Sequence, residues 1–228
     1  MLILGIETAG PTASVALMRD GELLAEHVLH HTRTHSEAVM PMMERLLQEL
    51  EVVPADINII AVNCGPGSFT GVRIGVCTAN AMGAALHIPV AGIHSLRALY
   101  ENVCFWPGTV CTMADAGNQS AYFSQFKAGE EIVPPSADVV ADYISGVPAN
   151  TLFVGDGAAA YADMIGASVP GAVIAPSAFH ISRANGLCSA AERAIAKGET
   201  ITMQTAPLYL RPSQAERMWS RLHENKDI

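Results

Sequence analysis

The chain reads as an α/β protein built from two tandem halves, each ordered three strands, helix, strand, helix, strand, helix. Three observations lead to this. An apolar run at 57–64, dense enough for a strand buried on both faces, passes into Gly65-Pro66-Gly67-Ser68-Phe69-Thr70-Gly71, a tight strand-to-helix turn. The chain opens on strand patterns joined by the two-residue hairpin turn Asp20-Gly21. After Phe105-Trp106-Pro107-Gly108 breaks the pattern, the same order of elements starts again, so the boundary falls near residue 105 and the domains are 1–105 and 106–228. The architecture repeats; the sequence does not.

Residues 2–8 and 14–19 form the first two strands, and Asp20-Gly21 leads into a third. Thr34-His35-Ser36-Glu37 matches a capping box and starts a helix to about residue 50, which Pro41 should bend. Val39, Met42, Met43, Leu46, Leu47 and Leu50 make its apolar face. That face serves either as core or as an adaptable contact surface for another protein. Beyond the glycine turn, a helix capped by Ser68 or Thr70 runs to about residue 86. Gly71, Gly75, Ala79 and Gly83 lie four apart along one row of it and let another helix approach closely, with Gly75 assigned to the partner side. Pro89-Val90-Ala91-Gly92-Ile93 is a short strand, and a helix spans about 95–101. In the second half, strands fall near 110–114, 120–127 and Ile132, with a helix after Ser136. A strand at 152–154 with Gly155-Asp156-Gly157, a short helix, a strand at 172–175 and a helix at 182–197 stopped by Gly198 complete the order. The segment Pro207-Leu208-Tyr209-Leu210-Arg211-Pro212 has no place in the repeat and is expected to return to the first half; 213–223 reads as a mixed-charge helical end.

With 228 residues the chain can bury a full core in one domain or two. Charged residues are 15% and apolar residues 50%, a balance that suggests surface hidden against another chain. The net charge of -9 argues against a protein that grips nucleic-acid phosphates alone. Five cysteines without CxxC spacing fit reduced thiols and a cytoplasmic location, and Met1 passes into a strand without a secretory signal. The stretch 74–96 lacks Asp, Glu, Lys and Arg, but Asn80, His87, Pro89 and His94 divide it into a buried helix and a strand, so no membrane segment is expected.

Candidate chemistry is sparse. Glu7 ends the first strand, and the small-residue loop before Ser14 either wraps a phosphate or only connects strands; the Gly65 turn offers the same two readings. Asp115 and Asp156 are attractive as a carboxylate pair across the two halves, or are turn and cap residues. His31 and His35 have chelate spacing, but the capping box puts His31 before the helix, and no metal is expected there.

Two such halves in succession resemble the actin-like ATPase (ASKHA, ribonuclease H-like) architecture. Within it, Ile3-Leu4-Gly5-Ile6-Glu7-Thr8 with Ser14-Val15-Ala16-Leu17, His35-Ser36-Glu37 with Met40-Pro41, the Gly65 to Gly75 run and the segment 207–212 resemble the bacterial TsaB (YeaZ) family. The resemblance implies a non-catalytic scaffold subunit, without cofactor, of the machinery making N6-threonylcarbamoyladenosine at position 37 of tRNA. It implies pairing with the paralogue TsaD, with TsaE in a larger complex, self-dimerisation when alone, and only indirect contact with tRNA. On this reading Val39, Met42, Met43, Leu46, Gly71, Gly75, Ala79 and Gly83 bind the partner, and Glu7, Ser14, Gly65, Gly67 and Asp115 are a vestigial nucleotide site. TsaD-like chains carry an HxxxH metal pair after the fifth strand; here Ser95 and Leu99 hold those positions, and shifting to His94 puts Ala98 opposite. The run Asp115-Ala116-Gly117-Asn118-Gln119 departs from the Asp-Ala-Arg frequent in the TsaB family. An ATP-dependent phosphotransferase of the same superfamily is the alternative, and a metallopeptidase fails on the missing pair.

Overall fold

The structure, a computed structural model, describes residues 1–30 and 35–212. Thr34 of the expected capping box, His31 of the histidine pair and the helical end expected at 213–223 lie outside the described residues. The element order is the expected one, with two five-stranded mixed sheets.

The first sheet has the order β3-β2-β1-β4-β5, from β1 (Leu2–Glu7), β2 (Thr12–Arg19), β3 (Glu22–His30), β4 (Ile59–Gly65) and β5 (Val90–His94). β1 runs antiparallel to β2 and parallel to β4. Asp20 and Gly21 both take positive φ, as a two-residue hairpin turn requires. Between the strands lie α1 (His35–Glu49), which continues as helix through Pro41, then α2 (Phe69–Leu86), and after β5 comes α3 (Ser95–Glu101). α1 and α2 cover one face of this sheet: Val39, Met43, Leu46 and Ala79 pack with Leu4, Ile6, Val15, Leu17, Ile60 and Val62.

The second sheet, β10-β9-β6-β7-β8, is built from β6 (Val110–Asp115), β7 (Ser120–Lys127), β8 (Glu130–Val139), β9 (Leu152–Val154) and β10 (Val173–Ile174). Its helices are short: α4 (Val140–Ile144), α5 (Asp156–Ala160) and α6 (Ala162–Ser168). Phe123, Phe153 and Ile165 are buried in its core, and Phe123 stacks on Tyr143 at 3.8 Å between ring centroids.

One expectation about the halves needs correction. The last helix, α7 (Ala184–Ala196), follows the second sheet in sequence but packs on the first, closing its other face with Leu187, Cys188 and Ala191 against Ile3, Ala16, Ala61 and Ala91. The physical reason is close approach: a Cβ on Gly5 would stand 2.5 Å from the Ala184 carbonyl oxygen, so only glycine lets this helix settle on β1. β1 and β4 are therefore covered on both faces, which explains their unbroken apolar pattern.

The halves are pinned on one side by the β7–β8 hairpin. The Tyr100 hydroxyl accepts from Gly129 N at 2.9 Å, Arg97 donates to Gly129 O at 3.2 Å, His94 Nε2 lies 3.1 Å from Glu131, and Lys197 pairs with Glu130 at 2.8 Å. Among the described residues, no helix is long and apolar enough to cross a membrane.

Candidate functional site

On the opposite side the halves leave a cleft of about 930 Å³. One wall is the loop after β1 (Ala9 to Thr12), His35 and the glycine turn; the other is the end of β6, Tyr122, Asp156 and residues 180–182. Leu208 to Pro212 close one end.

The glycine turn uses its backbone on the chain itself. Gly65 N donates to Asn63 Oδ1 at 2.8 Å, Ser68 N donates to the Ala9 carbonyl at 2.8 Å, and Ser68 Oγ caps α2 by accepting from Gly71 N at 3.2 Å. A Cβ on Gly67 would stand 2.5 Å from Ala9 O, and one on Gly65, held at φ +105, would stand 2.6 Å from Leu208 O. The two loops that read as phosphate cradles thus touch each other. In this structure the glycines make room for backbone.

Of the five residues in the expected nucleotide set, Gly67 and Asp115 line the cleft; Glu7, Ser14 and Gly65 are buried beneath it. Ser14 Oγ accepts from Ala184 N at 2.8 Å and so caps α7. Glu7 accepts from Asn63 Nδ2 at 2.6 Å, from Ala9 N at 2.7 Å and from the Ser182 hydroxyl, tying β1, β4 and the lead into α7. Burial lifts its carboxyl above the ordinary range, while those donors pull the other way.

Asp115 and Asp156 both belong to the second half, at the ends of neighbouring strands, which corrects their placement as a pair across the halves. Asp156 Oδ1 accepts from Asp115 N at 2.9 Å and Gly157 N at 2.8 Å, and Asp115 Oδ1 accepts from Gly117 N at 3.0 Å. These are cap and turn bonds. Desolvation raises the Asp156 carboxyl, with the Asp115 charge adding to it. His180 accepts from Gly155 N at 3.0 Å, and burial lowers its pKa. His35 Nε2 donates to Gly10 O at 3.0 Å.

The expected partner-binding residues also point elsewhere. Val39, Met43 and Leu46 are core, and Met42 packs against it. Gly71, Gly75, Ala79 and Gly83 face the chain's own sheet: a Cβ on Gly75 would stand 2.5 Å from Thr8 Oγ1, and one on Gly83 2.6 Å from Val90. The assignment of Gly75 to a partner side is corrected accordingly, because the row seats α2 on β4 and β5. At the positions where a metal pair was sought, the Ser95 hydroxyl donates to Pro66 O at 2.6 Å and Leu99 is buried hydrocarbon.

The structure lays the segment 201–212 along the first half, where 207–212 was expected to return. Thr202 pairs with Val90, and Asn80 exchanges two hydrogen bonds of 2.9 Å with Thr205. Leu208 N donates to Cys64 O at 2.6 Å, and Tyr209 stacks on Phe69 at 4.8 Å while its hydroxyl accepts from Arg73 at 2.9 Å. Arg211 then reaches Ala116 O of the second half at 3.4 Å.

A family model described as TsaD, tRNA N6-adenosine threonylcarbamoyltransferase, matches residues 22–219. The chain is similar to the tRNA threonylcarbamoyladenosine biosynthesis protein TsaB of Bacillus subtilis, 35% identical over 63% of this chain and 65% of that one, so this match spans just under two thirds of the relative. It is similar to the protein of the same description from Escherichia coli, 29% identical over 97% of this chain and 98% of that one. Among solved structures, YeaZ from Pseudomonas aeruginosa superposes with a TM-score of 0.77 at 28% identity, covering 92% of this chain and 99% of that one. The ROK hexokinase of Thermus thermophilus, at TM-score 0.52 and 11% identity over 87% of this chain and 99% of that one, shares the fold alone. With the actin-like order of elements in both halves and a family match over most of its length, the chain belongs to the TsaB (YeaZ) family.

Proposed function

We propose that this chain is a non-catalytic subunit in the synthesis of N6-threonylcarbamoyladenosine in tRNA, acting by binding and stabilising its TsaD-type paralogue. The observation that carries the reading is the cleft. Its two loops are bonded to each other, and the paralogue's metal positions hold Ser95, spent on Pro66 O, and the buried Leu99. Among the described residues these positions hold no metal-ligand pair, and the Gly65, Ser68 and Gly71 amides of the turn are spent on the chain itself, so chemistry is assigned to the partner.

The docking surface is assigned to the outward sides of α1 and α2, since their inward sides are core. Met40 and Pro41 of α1 and Cys77, Ala81, Ala84 and Ala85 of α2 are exposed, and Arg73 is the one charged residue along α2. The outward side of α2 is small and nearly uncharged and suits close packing of another helix, while α1 beside it exposes Met40 together with Glu37, Glu44, Arg45 and Glu49. TsaE joins this pair in a larger complex, and tRNA is met through the partner.

The test is reconstitution with the paralogue of the same organism. Modification of tRNA should require both chains, and the isolated chain should neither hydrolyse ATP above background nor hold a metal through dialysis. Ala81→Glu should abolish capture of the paralogue while leaving the melting temperature of the free chain within about 2 °C, as expected of a surface change. ATP turnover by the isolated chain that Glu7→Ala abolishes would favour a phosphotransferase instead.

A further inference from the structure

The last described residues of the chain enter the cleft. Leu208 to Pro212 all line it, and Arg211 bonds across to Ala116 O of the second half, so residue 213 starts between the two walls. Ser213-Gln214-Ala215-Glu216 is a capping box directly after Pro212 and predicts a helix from there. Ala215, Met218, Trp219 and Leu222 follow one another at helical spacing, which gathers every apolar residue of 213–223 on one stripe. Arg217 and Arg221 lie outside that stripe, four apart. Such a helix is about 16 Å long.

We propose that residues 213–223 fold as a helix whose Ala215, Met218, Trp219 and Leu222 stripe fills the cleft, so that the chain's own tail occupies the space between its two halves. The cleft suits it in size and in chemistry. Its volume of about 930 Å³ has room for a row of side chains, and much of its lining is apolar: Pro11, Pro66, Leu99, Ala114, Ala159 and Ile181. Histidines apart, the charged residues among the described lining are Asp115 and Asp156 against Arg211, and the two tail arginines can offset that excess of negative charge. Tethering favours this occupant over others. A segment that begins at the cleft is present there at an effective concentration of about millimolar, whatever else is in solution. Seated so, the tail touches both halves and holds them at one angle. This goes beyond the role proposed above and requires no paralogue.

The experiment uses the full chain without a partner. Trp106 and Trp219 are its two tryptophans, so subtracting the emission of Trp219→Phe isolates that of Trp219. Acrylamide should quench this emission about fivefold less than in the urea-unfolded chain, because the ring is enclosed. Ala159→Arg, at an exposed position on the cleft wall, should return quenching of Trp219 to the unfolded level while Trp106 emits as in the parent. A Trp219 quenched as freely as in the unfolded chain overturns the proposal, and so does shielding that Ala159→Arg leaves intact. Shielding that appears only as protein concentration rises puts the tail in another copy and overturns it too. Should Ala159→Arg fail to fold, Ala159→Cys in a Cys77→Ser background decides: a maleimide should modify it about fivefold faster once Trp219→Glu is added, and equal rates would refute the seated tail.

Discussion

The fourth strand of each half ends in the same device, and the two copies have been put to different use. Gly65 and Gly155 both take positive φ, at 105 and 118, and each donates its N–H to a side chain, Asn63 in one half and His180 in the other. What presses on them differs. Gly155 is backed by the Met113 carbonyl of its own sheet, and Asp156 opens a helix of five residues. Gly65 is backed by the Leu208 carbonyl of the returning segment, and Ser68 caps a helix of eighteen. One turn is closed by the scaffold, the other by a strap. A repeated architecture therefore fixes where a turn lies without fixing what it is for.

Substitution can break this contrast. Gly155→Ala forces a Cβ into a carbonyl that cannot move without the sheet, so about 3 to 5 kcal/mol of stability should be lost in urea unfolding. Gly65→Ala meets only the strap, and should cost about 1 to 3 kcal/mol while making the chain beyond residue 201 more sensitive to protease. Equal costs would mean the strap is as fixed as the sheet. Gly75→Leu sharpens the point within the first half: the side chain would enter Thr8 and Val62, so melting of the free chain should show a loss of roughly 1 to 3 kcal/mol or more. An unchanged melting curve would return that face to a partner.

The two turns also differ in the carboxylate each keeps nearby. Glu7 is fully buried and Asp156 sits at the cleft, and burial raises both above their ordinary values of 4.5 and 3.8. Between the ordinary and the raised pKa the folded state holds more proton than the unfolded chain, so each group's contribution to stability falls as pH rises through that window. Glu7→Gln should accordingly gain on the parent as pH goes from 5 to 8 in parallel denaturation series, by more than Asp156→Asn does. A flat difference for Glu7→Gln would contradict the burial argument. The smallest effect is expected at the strap's surface: Tyr209→Phe loses one exposed bond from Arg73 and should cost about 0.5 kcal/mol or less.

Strand and helix order was legible because the signals are local: the Asp20-Gly21 turn, the apolar run before Gly65 and the stop at Gly198 each act over a few residues. Destination was not. α7 carries a face of alanine, leucine and cysteine that suits either sheet, and the missing side chain at Gly5, with the bonds that Ser14 and Glu26 accept from its first turn, seats it on the first. The row Gly71, Gly75, Ala79 and Gly83 announced close approach correctly, but small residues do not say whether a strand or a foreign helix fills the gap. The same holds at Asp115 and Asp156. Their type fits a carboxylate pair or a turn and a cap, and the coordinates show one oxygen of each accepting from backbone amides.

The return of α7 to β1 sets an order of events during synthesis. When β5 leaves the ribosome the first sheet has all its strands and one covered face, while Ile3, Ala16, Ala61 and Ala91 still lie open on the other. The helix that shields them is made about ninety residues later, roughly 5 to 20 s at ordinary translation rates. Until then the nascent first half is an incomplete body with an apolar surface of its own, a natural client for chaperones. A chain cut near residue 105 would stay in that condition permanently.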